Sequence, residues 1–411
     1  MKPDRRIEPK PWMSAPATRA VVAALRANGQ EIRFVGGCVR DSLHGGFAGS
    51  DIDIATPDRP ETVIALFDKA GIKNIPTGLA HGTITAVAEG QHFEITTLRV
   101  DVNSHGRHAD VAYTDDWLED AARRDFTMNA LSLTPEGDIY DPWGGIKDLE
   151  AGCVRFVGDA AERIQEDHLR LLRFFRFHAW FGKGAPDHAG LAAATAGAKL
   201  LNRLSGERIR NEMLKLLAAA DPAPVIEIMA AAGVLGEIVA VANDTNILRG
   251  LQEIEAQSGA DPLRRLASLM RDKASAETVA ERLRLSNAES ARLAAMRSPP
   301  GTINAALDER ALHREVYAHG AERMVDWLIL AAAEHGKDGA RYRQLIEAAK
   351  AWPPAVLPIK GADALALGLA AGPDIGDLLK AVESWWIAED FAPTRAACLD
   401  KLRSLAAARK N

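Results

Sequence analysis

The chain has 411 residues, of which 47% are hydrophobic and 26% charged. At about 150 residues per domain, that is room for two to three domains and a sizeable core. A balance of 50 basic against 56 acidic side chains leaves a net charge of −6, which excludes a polycation and confines any nucleic-acid surface to a local patch.

Cys38, Cys153 and Cys398 are too few and too scattered for a disulfide framework or a zinc site, and they fit a reducing cytoplasm. The opening residues are charged and proline-rich with no apolar run, so no secretory signal is expected. No stretch approaches 18 uninterrupted apolar residues, so no membrane span is expected.

In chain order, a helix is predicted over Ala17–Ala27 and a strand over Ile32–Val35. A Gly36-Gly37 turn and a short helix follow, then a strand over Asp51–Ala55. Pro60–Lys69 reads as a helix stopped by Gly71. Strands are predicted at Thr83–Val87 and Phe93–Leu98 around a Glu89-Gly90-Gln91 turn. Two more, Leu131–Thr134 and Val154–Val157, follow, with a turn at Pro135-Glu136-Gly137-Asp138. Beyond about residue 158 strand signals cease. Ala, Leu, Arg and Glu dominate, Asp221-Pro222 and Asp261-Pro262 read as helix starts, and Ser286 with Glu289 reads as a capping box. Pro299-Pro300 and Pro353-Pro354 break helices. The expected fold class is α+β multidomain: a small mixed α/β head with a short, mostly antiparallel sheet, then an all-helical neck, body and tail.

The strand–turn–helix–strand run Phe34-Val35-Gly36-Gly37-Cys38-Val39-Arg40-Asp41 to Ser50-Asp51-Ile52-Asp53 carries the chemistry. Gly36 and Gly37 let backbone approach a ligand, and the helix start offers free N–H groups to an anion. Arg40, one turn in, suits a charge-assisted contact to phosphate. Asp51 and Asp53 share one face of a strand, where their repulsion calls for a divalent cation. Mg²⁺ accepts such a pair together with substrate phosphate oxygens. Cys38, with no histidine nearby, reads as a small filler. A GxxxxGK[ST] loop does not occur, which excludes a P-loop NTPase.

This segment resembles the active-site signature of the polymerase-beta-type nucleotidyltransferase superfamily, and more narrowly that of the bacterial class II tRNA CCA-adding enzyme and poly(A) polymerase family. Arg123-Arg124-Asp125-Phe126-Thr127-Met128-Asn129-Ala130 resembles the family's second motif, which implies triphosphate binding by Arg124 and a ribose 2′-OH contact by Asp125. Asp141 to Arg155 resembles the link between head and neck, with both residues expected to be structural, as an ion pair or hinge. Glu166-Asp167-His168-Leu169-Arg170-Leu171-Leu172-Arg173-Phe174-Phe175-Arg176 resembles the base-reading motif.

Asp167 and Arg170, three apart on a predicted helix, can take the amino proton and serve the ring nitrogen that cytosine and adenine share. Uracil and guanine would put a carbonyl against Asp167. Arg173 and Arg176 match further family arginines, and at least one is expected to pair with Glu or phosphate. Ser205 to Glu212 resembles a helix start, with Ser205 as N-cap and Glu207 with Arg208 bracing the neck. Leu283 to Ser286 and Lys360 to Gly376 resemble body and tail elements.

In the loop Arg99 to Asp110, an acid and an arginine stand where relatives also carry Tyr and Pro. Glu94 is set aside as a support residue. The resemblance implies a head over 1–150, a base-recognising neck over 151–235, and a tRNA-binding body and tail over 236–411. It further implies CCA addition to the tRNA 3′ end from CTP and ATP with Mg²⁺, with no membrane partner and an oligomeric state left open. A poly(A) polymerase, a CC- or A-only enzyme, and a non-catalytic RNA-binding module are the alternatives.

Overall fold

A computed structural model describes residues 2–410 except 47–48, 50, 106–107, 240–244, 256–258, 302, 337–338, 354 and 368–371. Ser50, Arg107, Pro354 and the Gly368-Leu369 part of the tail motif therefore lie outside the described residues, as do the side chains of 101–111.

The head alternates β1 (Arg5–Arg6), α1 (Pro16–Leu25), β2 (Arg33–Val35), α2 (Gly37–His44), β3 (Ile52–Thr56), α3 (Pro60–Ala70), β4 (Lys73–Gly78), β5 (Thr83–Ala88), β6 (Gln91–Thr97), β7 (Arg99–His105), β8 (His108–Tyr113), α4 (Trp117–Ala122), β9 (Ser132–Leu133) and β10 (Asp138–Tyr140). Eight strands form one sheet in the order β1-β10-β9-β2-β3-β6-β5-β4, and β7 pairs with β8 apart from it. Only β3 and β6 run parallel, so the sheet is mostly antiparallel, as expected. That pairing sets Asp53 opposite Glu94.

Alternation decides what β3 buries. Ile52 and Ile54 point into the core beside Phe34, Val63, Phe67 and Ile95, under α1 and α3, while Asp53 points the other way. Burying each of these large side chains stabilises the head by about 1.5–3 kcal/mol. Glu89 (φ 49°) and Gly90 (φ 78°) form the two-residue hairpin turn between β5 and β6. Gly137 turns β9 into β10 with φ 97°, and a Cβ there would lie 2.1 Å from the Ile7 carbonyl oxygen.

Four expectations need correction. Val154–Val157 is no strand; Phe156 makes only an isolated bridge to Phe126. β4 carries Pro76 and was not expected, yet an edge strand tolerates a missing donor. Arg99–His105 and His108–Tyr113 pair as the antiparallel strands β7 and β8 where a loop was expected. The helix after Asp221 is capped by Pro222 and starts at Ala223.

Beyond β10 every α or β element among the described residues is helical. The first compact unit, residues 1–243 with 281–285, adds α5 (Gly145–Ala151), α6 (Ala160–Glu166), α7 (Leu169–Phe181), α8 (His188–Gly197), α9 (Gly206–Leu217) and α10 (Ala223–Ala231). Phe126 joins head to neck: its ring lies 4.9 Å from that of Phe156 and 5.1 Å from that of Phe177, while Phe156 stacks on Phe174.

The second unit, residues 244–280 and 286–411, runs from α11 (Asn246–Glu255) and α12 (Pro262–Ser268) through α13 (Lys273–Arg282), α14 (Asn287–Met296), α15 (Glu309–His319), α16 (Ala321–His335), α17 (Gly339–Ala351), α18 (Gly361–Ala366) and α19 (Pro373–Ala388) to α20 (Arg395–Lys410). Asp261 caps α12 and the Ser286–Glu289 capping box starts α14, both as read from sequence. Arg264 and Arg265 are buried on Glu255 and Asp326, a balanced ion network. No helix among the described residues is long and apolar enough to cross a membrane.

Candidate active site

Gly36 ends β2 with φ 71° and caps α2. A Cβ there would stand 3.4 Å from both Asp53 Oδ2 and Arg124 Nη1, at a backbone angle L side chains rarely adopt, so glycine keeps open the space between these two charges. Cys38, fully buried, donates its Sγ–H to the Val35 carbonyl, and burial pushes its thiol up to about 12, which makes it inert filler.

Asp53 is pushed up to about 6, first by burial and then by the charge of Glu94; Arg124 acts against these, and Asp51 adds a smaller push. Asp51 stands exposed one residue before β3. Among the described residues no three Asp, Glu, His or Cys side chains converge into a complete metal cage. This donor set suits a cation that keeps part of its shell for substrate oxygens, and the repelling carboxylates fit such an ion.

A cleft of about 600 Å³ gathers Gly36, Gly37, Arg40, Asp53, Arg124, Asp125, Asp167, Arg170, Arg173 and Arg176; of the candidate residues only Asp51 does not line it. Its other walls are charged in pairs. Arg40 donates to Asp41 (2.7 and 2.9 Å) and to Asn129 Oδ1 (2.7 Å). Arg124 donates to Asp120 (3.1 Å) and to the Asn129 carbonyl (3.3 Å).

Asp125 is buried and accepts from the Phe126 N–H, Asn129 Nδ2 (2.9 Å) and Arg173 Nε (2.7 Å). Burial alone would raise its pKa, but Arg173 and Asn129 outweigh burial and hold it low. Arg176 meets buried Glu212 at 2.8 Å, the acid partner expected for one of these arginines. Arg176 is held below the usual arginine range by burial, with Arg173 and Arg40 adding to the effect.

Asp167 corrects a premise. It is not on the helix of Arg170: it ends α6 in extended conformation (φ −144°, ψ 106°), and α7 starts only at Leu169. Its carboxylate accepts from the Leu169 N–H (3.1 Å), a local turn that leads into α7, whose N-cap position is His168. Arg170 instead donates to Glu166 and to the Arg123 carbonyl. The two base-reading candidates still line one cleft, brought there by the bend and not by a shared helical face.

Sequence reasoning missed several members. Arg208, assigned to bracing, lines the cleft and grips Asp167 at 2.9 and 3.0 Å. Its expected companion Glu207 pairs with Arg284 at 3.0 Å, and Ser205 occupies the N-cap position without a side-chain bond to the helix N–H groups. Asn129, quoted within its motif but given no role, joins Arg40 to Asp125. Glu94, set aside, faces Asp53 across β6. Asp141 and Arg155 do not pair with each other: Asp141 caps α5 through the Gly145 and Ile146 N–H groups, and Arg155 meets Asp148 at 3.2 Å.

Residues 32–155 match the family profile of the poly A polymerase head domain, and residues 188–240 match that of the probable RNA and SrmB-binding site of polymerase A. The mitochondrial CCA tRNA nucleotidyltransferase 1 of Danio rerio is 33% identical over 87% of this chain and 83% of its own. That of Mus musculus is 35% identical over 87% and 82%. The crystal structure of the Bacillus stearothermophilus CCA-adding enzyme in complex with CTP superposes with a TM-score of 0.79 at 26% identity, covering 98% of this chain and 99% of that one. Similarity of this extent, running through head and helices alike, means that the chain belongs to the CCA tRNA nucleotidyltransferase family.

Proposed function

We propose that this chain is a CCA tRNA nucleotidyltransferase: it adds C, C and A to the tRNA 3′ end from CTP and ATP and releases pyrophosphate. The observation that carries this is the single cleft in which the Gly36-Gly37 turn, the partly buried carboxylate of Asp53 and the Asp and Arg side chains of the neck meet. Members of the family work with a divalent cation. Here Mg²⁺ would be held by Asp51 and Asp53; when bound it supplies charge neutralisation at the attacking 3′-hydroxyl and the leaving pyrophosphate.

The remaining roles belong to the chain. Gly36, Gly37 and the start of α2 offer N–H groups to the triphosphate, and Arg40 and Arg124 add positive charge. Asp125 accepts from the ribose 2′-OH. Asp167 and Arg170 read the donor–acceptor edge common to C and A, while U and G leave Asp167 facing a carbonyl. Arg173 fixes Asp125, and Arg176 lines the same wall. The tRNA is read by shape along the helices. The division into a head over 1–150, a neck over 151–235 and a body and tail over 236–411 is supported by the profile matches and by the compact-unit border at 243. The free thiols Cys38, Cys153 and Cys398 support a cytoplasmic setting.

The test is nucleotide-by-nucleotide incorporation. With tRNA lacking CCA, CTP alone should add two residues, and ATP should add one only afterwards. Unlimited A addition to any RNA would instead mark a poly(A) polymerase.

A further inference from the structure

A second cavity, about 460 Å³, adjoins the cleft and shares Arg40, Arg176 and Phe177 with it. Its own walls are His44 at the end of α2, Trp180 and Phe181 at the end of α7, and Lys215 on α9. Trp180 is half exposed, yet its indole N–H is fixed on the Lys215 carbonyl at 2.8 Å. A large aromatic ring held at the surface by its own N–H leaves a face on which a base can stack.

The cations around it are unequal. Arg40 and Arg176 are shared with the catalytic cleft, where the proposed function already engages them, and each also meets an acid, Asp41 and Glu212. Lys215 is exposed, and Asp41 is the one carboxylate on the wall. The charge on offer therefore suits a single phosphodiester and not the four negative charges of a nucleoside triphosphate. Of the polar groups on this wall Arg40, Asp41 and Arg176 are already paired, which leaves His44 and Lys215 to meet a ligand, so stacking carries more of the binding than base reading.

We infer that this cavity holds a nucleotide of the RNA strand itself, its base against Trp180 and its phosphate on Lys215, as a grip beside the catalytic cleft. The inference rests on the nucleotidyltransferase reading for its purpose, though not for its chemistry. Such a grip would draw affinity from stacking and one charge, leaving the incoming nucleotide to the other cleft.

Two measurements on the full chain separate these layers. The first titrates a short single-stranded oligoribonucleotide while following tryptophan fluorescence, with Trp180→Phe as the reference. The oligonucleotide should quench a signal that the variant lacks, whereas CTP or ATP alone should not. Lys215→Ala should reduce the slope of log affinity against log salt by about 0.7, one phosphate contact on a single strand, and Lys215→Arg should restore it. This arm needs no catalysis, so it stands even if the enzyme reading fails.

The second is kinetic. Trp180→Ala should raise KM for tRNA lacking its 3′ end by about 5- to 100-fold, the range of one lost stacking contact, with KM for CTP and ATP unchanged within about twofold. Quenching of Trp180 by free nucleotide alone would overturn the inference in favour of a free-nucleotide site. Unchanged RNA affinity in both Trp180→Ala and Lys215→Ala would overturn it outright.

Discussion

The two ends of the cleft treat charge in opposite ways. At the β3 end Asp53 sits beside Glu94 and within reach of Asp51, and the burden shows as a carboxyl pushed up to about 6. At the α7 end each acid has its arginine: Asp125 with Arg173, Asp167 with Arg208, Glu166 with Arg170, Glu212 with Arg176. On the proposed reading, the first end is incomplete until a cation arrives. The second is complete in the free protein, so a nucleotide must compete with partners already in place. On the same proposed reading, base selection there is an exchange: only an edge that replaces what Asp167 and Arg170 give up is admitted.

The sharpest way to break this contrast is at Asp53. Asp53→Ala should lower transfer by roughly 10³-fold or more, since several kcal/mol of transition-state charge stabilisation depend on the bound ion. It should leave the melting temperature unchanged or raised, because a repelling buried carboxylate is gone. Near-normal turnover in Mg²⁺ would show the metal assignment to be wrong.

The same carboxylate predicts a pH effect of definite sign. Its folded pKa lies above the unfolded value, so it contributes stability below about pH 4 that is lost as pH rises through about 6. A divalent ion competes with that proton. Added Mg²⁺ should therefore raise the melting temperature more at pH 7.5 than at pH 5, and the acidic limb of the rate profile should move to lower pH as Mg²⁺ increases. A Mg²⁺ effect independent of pH would separate the ion from Asp53.

At the paired end the effects are smaller and fall on choice more than on rate. Asp167→Ala removes the acceptor that penalises U and G, so discrimination should fall by about 1–3 kcal/mol, roughly 5- to 150-fold, while some transfer survives. Arg170→Ala should instead slow C and A together. Arg208→Ala leaves Asp167 in place but unheld, so its loss of discrimination should be smaller than that of Asp167→Ala. Relative incorporation of CTP, ATP, UTP and GTP measures all three. An Asp167→Ala enzyme as selective as its parent would move specificity to the sugar or the RNA end.

What could be read from sequence follows the same divide. Gly36, Gly37 and Asp53 were legible as cleft residues because turn chemistry and period-two alternation are local; Asp51, expected on the strand face with Asp53, lies one residue before β3 and does not line the cleft. Asp167 was misplaced because the α6–α7 bend carries neither Gly nor Pro; an Asp that ends one helix two residues before the next looks helical in a charged, periodic run. Arg208 and Asn129 have roles fixed by partners 41 and 89 residues away, which spacing cannot show. Glu94 was undervalued because only the parallel β3–β6 register puts it beside Asp53. Its adverse charge on Asp53 was a signal available only after pairing was known.

The last prediction asks whether pairing as such matters or only pairing in the cleft. Arg155 is more than half exposed and meets Asp148 at 3.2 Å and Asp187 at 4.0 Å, close to the head–neck link but away from the cleft walls. An exposed guanidinium gains little, because water screens the attraction and fixing a long side chain loses rotamer freedom. Asp148 does not depend on it, since it also accepts from the Thr127 hydroxyl at 2.7 Å. Arg155→Ala should therefore cost under about 1 kcal/mol, lower the melting temperature by no more than about 4 °C, and leave both rate and nucleotide choice unchanged. Thermal melting beside the four-nucleotide incorporation assay checks both halves. A large loss of discrimination with an intact melting curve would mean that the head–neck link governs base selection, and that the contrast between the two ends of the cleft is drawn too narrowly.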